Sequence, residues 1–145
     1  MQIYIASDHA GYKLKQHLVD FLRTQEHEVE DMGPHTLDLV DDYPDYCRPV
    51  GEKVAQNKGT FGIVIGYSGQ GEAMAVNRVV GARAAVFYGG PTEILTLSRE
   101  HNDANVLSFG AHFVSAQSAQ EAVTLWLGTA FSNDERHVRR IEKLD

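Results

Sequence analysis

The run Phe61-Gly62-Ile63-Val64-Ile65-Gly66-Tyr67-Ser68-Gly69-Gln70-Gly71-Glu72-Ala73-Met74-Ala75-Val76-Asn77-Arg78 constrains the fold more than any other part of the chain. A short apolar run passes through a turn with three glycines into a helix-forming segment, so it reads as strand, glycine loop and helix N-terminus. The first N–H groups of a helix lack internal partners and carry the positive end of its dipole. Glycines that bring such backbone close to a ligand make a cradle for a phosphate or an oxyanion. Glu72 stands at the lip of that cradle. Its carboxylate can cap the helix dipole, or it can be a base facing a hole that holds developing negative charge.

The same alternation runs through the chain. Ile3–Ala6 is a strand-length apolar run closed by the polar turn Ser7-Asp8-His9-Ala10-Gly11. Leu14, Leu18, Phe21 and Leu22 follow at helical spacing. Glu28–Met32, Gly62–Gly66, Ala82–Tyr88 and Val106–Phe109 complete five expected strands. Helices are expected over about Tyr46–Asn57 with Pro49 in the first turn, Ala73–Val79, Thr92 to about His101, and Ser118–Leu127. Short strands alternating with helices predict an α/β fold, a doubly wound parallel sheet with helices on both faces. No repeat or linker interrupts residues 1–145, which are expected to form one domain. Right-handed crossovers put the loops after the strands on one edge. Ser7–Gly11, Gly66–Glu72 and the Gly89–His101 neighbourhood are therefore expected to converge there.

A net charge of −7 argues against nucleic acid as a partner, which calls for a basic face. No apolar run approaches the roughly 18 residues of a membrane span, and the N-terminus has no export pattern, so a cytoplasmic protein is expected. One cysteine, Cys47, excludes an intrachain disulfide and reads as a small buried hydrophobe. A chain this acidic must gather positive charge locally to hold an anion. The dense basic cluster is Arg136-His137-Val138-Arg139-Arg140, in which Arg136 and Arg140 share one face if the segment is helical.

Asp8-His9 follows the first strand, where an Asp can be a helix cap and a His a surface residue. His101-Asn102-Asp103 closes the fourth helix. Met74 stands where a dinucleotide fingerprint needs its third glycine, no phosphate-loop lysine follows, and no residue set has metal-ligand spacing.

Ser7-Asp8-His9-Ala10-Gly11, Asp42-Tyr43-Pro44, Gly66–Glu72, Asn77-Arg78, Ser98–Asp103 and Arg136-His137-x-x-Arg140 resemble, in order, the motifs of the ribose-5-phosphate isomerase type B family, which includes galactose-6-phosphate isomerase subunits. The resemblance covers essentially the whole chain. It implies a Rossmann-like fold and an aldose–ketose isomerase that interconverts ribose 5-phosphate and ribulose 5-phosphate without metal or organic cofactor. On it, Glu72 moves the proton from C2 to C1, the N–H groups of Gly69–Glu72, Gly71 among them, stabilise the enediolate, and Ser68 relays a proton between substrate oxygens. Asp8 and His101 match positions that handle ring opening. His9, Arg136 and Arg140 match contacts to the phosphate or substrate, and Tyr43 and Asn102 line the site. The resemblance also implies a homodimer or homotetramer with sites across the subunit interface. Galactose 6-phosphate or allose 6-phosphate are alternative substrates, and a noncatalytic nucleotide-binding module is the alternative of another class. One branch of the family has a catalytic Cys at the position of Gly66. Glu72 matches the carboxylate branch, and His112 stands where some members have a phosphate-contacting Arg.

Overall fold

The computed structural model describes all residues from Met1 to Asp145. The elements follow in the order β1 Gln2–Ser7, α1 Tyr12–Thr24, β2 Glu28–Asp31, α2 Tyr43–Gln56, β3 Phe61–Gly66, α3 Gln70–Val76, β4 Ala84–Phe87, α4 Glu93–Glu100, β5 Val106–Gly110, α5 Ala116–Gly128 and α6 Glu135–Ile141. The strands form one parallel sheet in the order β2-β1-β3-β5-β4.

Alternation along each buried strand sends side chains to opposite faces. Ile3, Ile5, Ile63, Ile65, Leu107 and Phe109 meet Leu14, Leu18 and Leu22 of α1, Leu95 of α4 and Val123 and Trp126 of α5. Tyr4, Ala6, Val64 and Val106 meet Cys47, Val50 and Val54 of α2 and Val76 of α3. The sheet is thus covered on both faces. No helix is long and apolar enough to cross a membrane.

From β1 the chain turns to β2 on one side and later reaches β3 on the other, so direction reverses between β1 and β3. Pairing of Ser7 with Ile65 ends the two strands level, and their loops leave side by side from that crevice.

Several boundaries differ from the sequence expectation, with α3 beginning at Gln70 rather than Ala73 and ending at Val76. β4 begins at Ala84 rather than Ala82, because Ala82 N–H closes a turn onto Val79 and Arg83 N–H donates to the Asn105 side chain at 2.8 Å. It ends at Phe87, before Gly89 and Gly90 with φ of 99° and 92°. α2 starts at Tyr43, so Pro44 fills the first turn while Pro49 lies inside the helix. Pro49 removes one backbone bond there, and burial of Cys47, Val50 and Val54 around it offsets that loss. The C-terminal basic segment is helical, as α6.

Candidate active site

Glu72 is the third residue of α3 and only 4% exposed. It lies directly over Gly66, where an added Cβ would overlap its carboxylate. The missing side chain at the end of β3 is therefore the space that the carboxylate occupies. Burial raises the Glu72 pKa above the ordinary carboxylate value, its own backbone N–H works against this, and the nearby Asp8 charge adds to the rise.

The loop in front of the helix is held by close backbone approach. Gly69 has φ of 77°, and a Cβ there would stand 2.9 Å from the Phe109 carbonyl carbon. Ser108 Oγ donates to Gly69 O at 2.6 Å, tying the loop to β5. Ser68 is half-buried, its Oγ accepting from Gln70 N–H at 3.4 Å. A Cβ on Gly71 would come within 2.7 Å of Tyr43 Cζ, so the bare backbone of Gly71 admits the Tyr43 ring. Gly69 to Glu72 occupy the N-cap and first turn of α3, whose N–H groups have no partner in the helical pattern. At the end of β5, His112 stacks on Tyr67 with centroids 4.4 Å apart.

Asp8 enters from the neighbouring loop, 7% exposed, with Oδ1 accepting from Gly11 N–H at 3.0 Å. It is thus a local cap and also the charge that adds to the rise of the Glu72 pKa. A Cβ on Gly11 would collide with the Ile65 carbonyl, so glycine lets this loop lie flat on β3. His9 Nδ1 sits 2.6 Å from Asp41 Oδ1, which also accepts from His9 N–H at 3.2 Å. Asp8, His9 and Asp41 bring ligand-type atoms within 4.8 Å of one another. The bonds just given account for the arrangement as a hydrogen-bonded group. Asp41 was not singled out by sequence reasoning. Its only signal was membership of the acidic, turn-rich segment Asp38–Tyr46, whose character suggests a functional loop.

The expected convergence of a third loop does not occur within one chain. Gly89 and Gly90 follow β4 at the same edge as Glu72, but α4 then carries the chain back across the sheet. His101 caps the far end of α4 just before β5, and Asn102 lines a 360 Å³ pocket with Ala84, Ala85 and Asp145 near the start of β4. β3 and β5 are about 16–20 Å long at roughly 3.3 Å per residue, and that length separates His101 and Asn102 from Glu72.

α6 joins them at that end. The His101 and His137 rings have centroids 4.2 Å apart, and Ser132 N–H bonds Glu100 O at 3.1 Å. His137 is buried, and its pKa is lowered by burial, by His101 and by Arg136. Arg136 is exposed with a loose 3.7 Å contact to Asp134, while Arg140 is exposed with no ion pair. Much of the rest of the motif Ser98–Asp103 is structural. Arg99 donates to Asp103, Ala104 O and Thr129 O and lies over the rings of Phe61 and Trp126 at 5.1 and 5.6 Å. Asn77 is also structural, bonding both backbone groups of Ala84.

The family model described as Ribose/Galactose Isomerase matches residues 3–144. Ribose-5-phosphate isomerase B of Mycobacterium leprae is 37% identical over 144 residues, 99% of this chain and 88% of that protein. A crystal structure of ribose-5-phosphate isomerase B from Mycoplasma genitalium with bound ribulose 5-phosphate superposes with a TM-score of 0.93 at 38% identity, covering 99% of this chain and 93% of that one. The ribose-5-phosphate isomerase B of Clostridium thermocellum reaches a TM-score of 0.93 at 42% identity, covering 99% and 95%.

Proposed function

This chain belongs to the ribose/galactose isomerase family, and from that premise we propose that, as a single domain over residues 1–145, it interconverts ribose 5-phosphate and ribulose 5-phosphate in the cytoplasm. The observation that carries the proposal is the buried Glu72 carboxylate, held over Gly66 at the β1/β3 crevice with the first turn of α3 beside it.

Glu72 is the base. It removes the proton from C2 of the open-chain aldose and returns it to C1. A carboxylate whose pKa is raised toward the working pH is better matched to both halves of that transfer. The charge that develops on the substrate oxygens as the enediolate forms is stabilised by the N–H groups of Gly69–Glu72. Ser68 relays the proton between those oxygens, and Tyr43 closes the wall over Gly71. Asp8 takes part in ring opening from the β1 loop.

His101, Asn102, Arg136 and Arg140 lie at the other end of the sheet, too far to serve the same chain's Glu72. The working unit is therefore at least a homodimer, in which these residues of one subunit complete the pocket around Glu72, Asp8 and His9 of the other. There His101 assists ring opening and Arg136 and Arg140 clamp the phosphate. The ligand's anionic end thus lies away from the glycine loop, whose N–H groups are kept for the enediolate.

The test is a panel of five- and six-carbon aldose phosphates assayed for ketose formation in the presence of a chelator, with wild type and Glu72→Gln side by side. Ribose 5-phosphate is expected to turn over fastest, and the variant to bind it without turnover. A variant with near-normal turnover, or a wild type that prefers six-carbon substrates, overturns the reading.

A further inference from the structure

The segment between β2 and α2 meets the site through one buried carboxylate. Leu37, Leu39 and Val40 are 52%, 72% and 86% exposed, so the segment gains little from apolar burial. The Asp41 side chain that follows is only 2% exposed. Both bonds to its Oδ1 come from one residue, His9, and its buried Oδ2 has no partner in the chain. Asp41 has no other cationic partner within ion-pair distance. A neutral amide would tether the loop equally well. A buried carboxylate with a bare oxygen is tolerable only when a cation compensates it. His9 complements this geometry: Nδ1 is taken by Asp41, Nε2 has no partner in the chain, and the side chain is 38% exposed.

We infer that Asp41 is a positioning residue for substrate binding, which holds His9 with Nδ1 inward and Nε2 toward the ligand and keeps the ring cationic for an anionic substrate group. This rests on the site proposed above, in which His9 is among the residues around the substrate. The carboxylate acts through the imidazole and does not touch the substrate, as a carboxylate behind a functional histidine commonly does.

The electrostatics agree. The hydrogen bond from Asp41 raises the His9 pKa above its ordinary 6.5, burial opposes this, and the charges of Asp8, Asp41 and Asp38 add to the rise. Asp8 reaches His9 from the β1–α1 loop and Asp38 and Asp41 from the β2–α2 loop. Glu72, on α3, is in turn raised by Asp8. Well below pH 6.5 the ring is protonated with or without Asp41, and above it the pair with Asp41 is the largest contribution that keeps the charge, up to the raised pKa. Loss of Asp41 should therefore weaken substrate binding selectively in the window that opens above 6.5.

The experiment compares wild type, Asp41→Asn, His9→Gln and the double variant by NMR titration of the histidines and by KM and kcat for ribose 5-phosphate against pH. The wild-type His9 midpoint is expected above 6.5 and the Asp41→Asn midpoint below that of wild type. KM of Asp41→Asn should rise severalfold above that of wild type as pH passes 6.5 and should converge with it in acid while kcat barely moves. Asp41→Asn should add nothing to His9→Gln. A wild-type midpoint at or below 6.5, a KM penalty that is constant with pH, or an additive double variant overturns the inference. The titration is read on the free protein, so a wild type without isomerase activity sinks the proposed reaction and leaves the pairing decided on its own.

Discussion

At the scale of single residues, the site is a contest for one small volume. The Glu72 carboxylate occupies the space that a side chain at position 66 would fill. A Cys at this position, which the resemblance implies for one branch of the family, would fill the spot that Glu72 occupies here. Gly66→Ala is expected to displace the carboxylate and lower kcat by about 10²-fold or more, the usual worth of a positioned base, with the fold retained by circular dichroism. Because burial raises the Glu72 pKa, its ionised form destabilises the folded chain once pH exceeds the unfolded carboxylate value. Glu72→Gln should then raise Tm at neutral pH, and the gain should disappear as pH falls below the unfolded value. The wild-type kcat/KM should fall in acid at a pH above that of an ordinary carboxylate. Cys47, fully buried beneath Glu72, Asp8 and Asp41, has its thiol pushed up by burial and by those charges. It should resist thiol reagents until the protein unfolds, a point that a titration in and out of denaturant decides.

At the scale of elements, one largely buried ion pair holds a segment that carries no core of its own. Lys15, 1% exposed in α1, donates to both Asp31 oxygens at 2.6 and 2.8 Å and to Pro34 O at 2.7 Å, anchoring the chain as it leaves β2 toward Asp41. Lys15→Ala leaves Asp31 without its cation and should cost about 3 kcal/mol in denaturant unfolding. α6 behaves differently: its basic face is exposed and its buried contact is His137 against His101. Arg136→Ala and Arg140→Ala should leave Tm within a degree or so, since exposed pairs contribute little. Both should raise KM for ribose 5-phosphate, and unchanged KM in both would remove the phosphate clamp.

At the scale of the whole molecule, the parallel sheet has two ends, and helix α4 carries His101 to the wrong one for its own Glu72. A dimer with sites shared between subunits resolves this, and it makes a prediction that a self-contained site does not. Glu72→Gln and His101→Ala should each be inactive alone. Randomly mixed, half the dimers are hybrid and one of the two sites in each is intact, so about a quarter of wild-type activity should return. Absence of recovery after verified subunit exchange counts against shared sites. Light scattering should give at least twice the 16.1 kDa chain mass.

The alternation of apolar runs with helical spacing and the placement of Gly66, Gly69 and Gly71 were enough to read the parallel sheet, its two helical layers and a glutamate at the lip of the glycine loop, because these depend on local periodicity and on backbone that must come close. The order β2-β1-β3-β5-β4, the overlap of Glu72 with Gly66, and the Asp41–His9 bond depend on which loops end level across the sheet, and no local pattern encodes that. The placement of His101 followed from a single physical fact: a helix linking two parallel strands must return its chain to the opposite edge. Tertiary structure alone therefore decided that the residues resembling one site lie at opposite edges of the sheet.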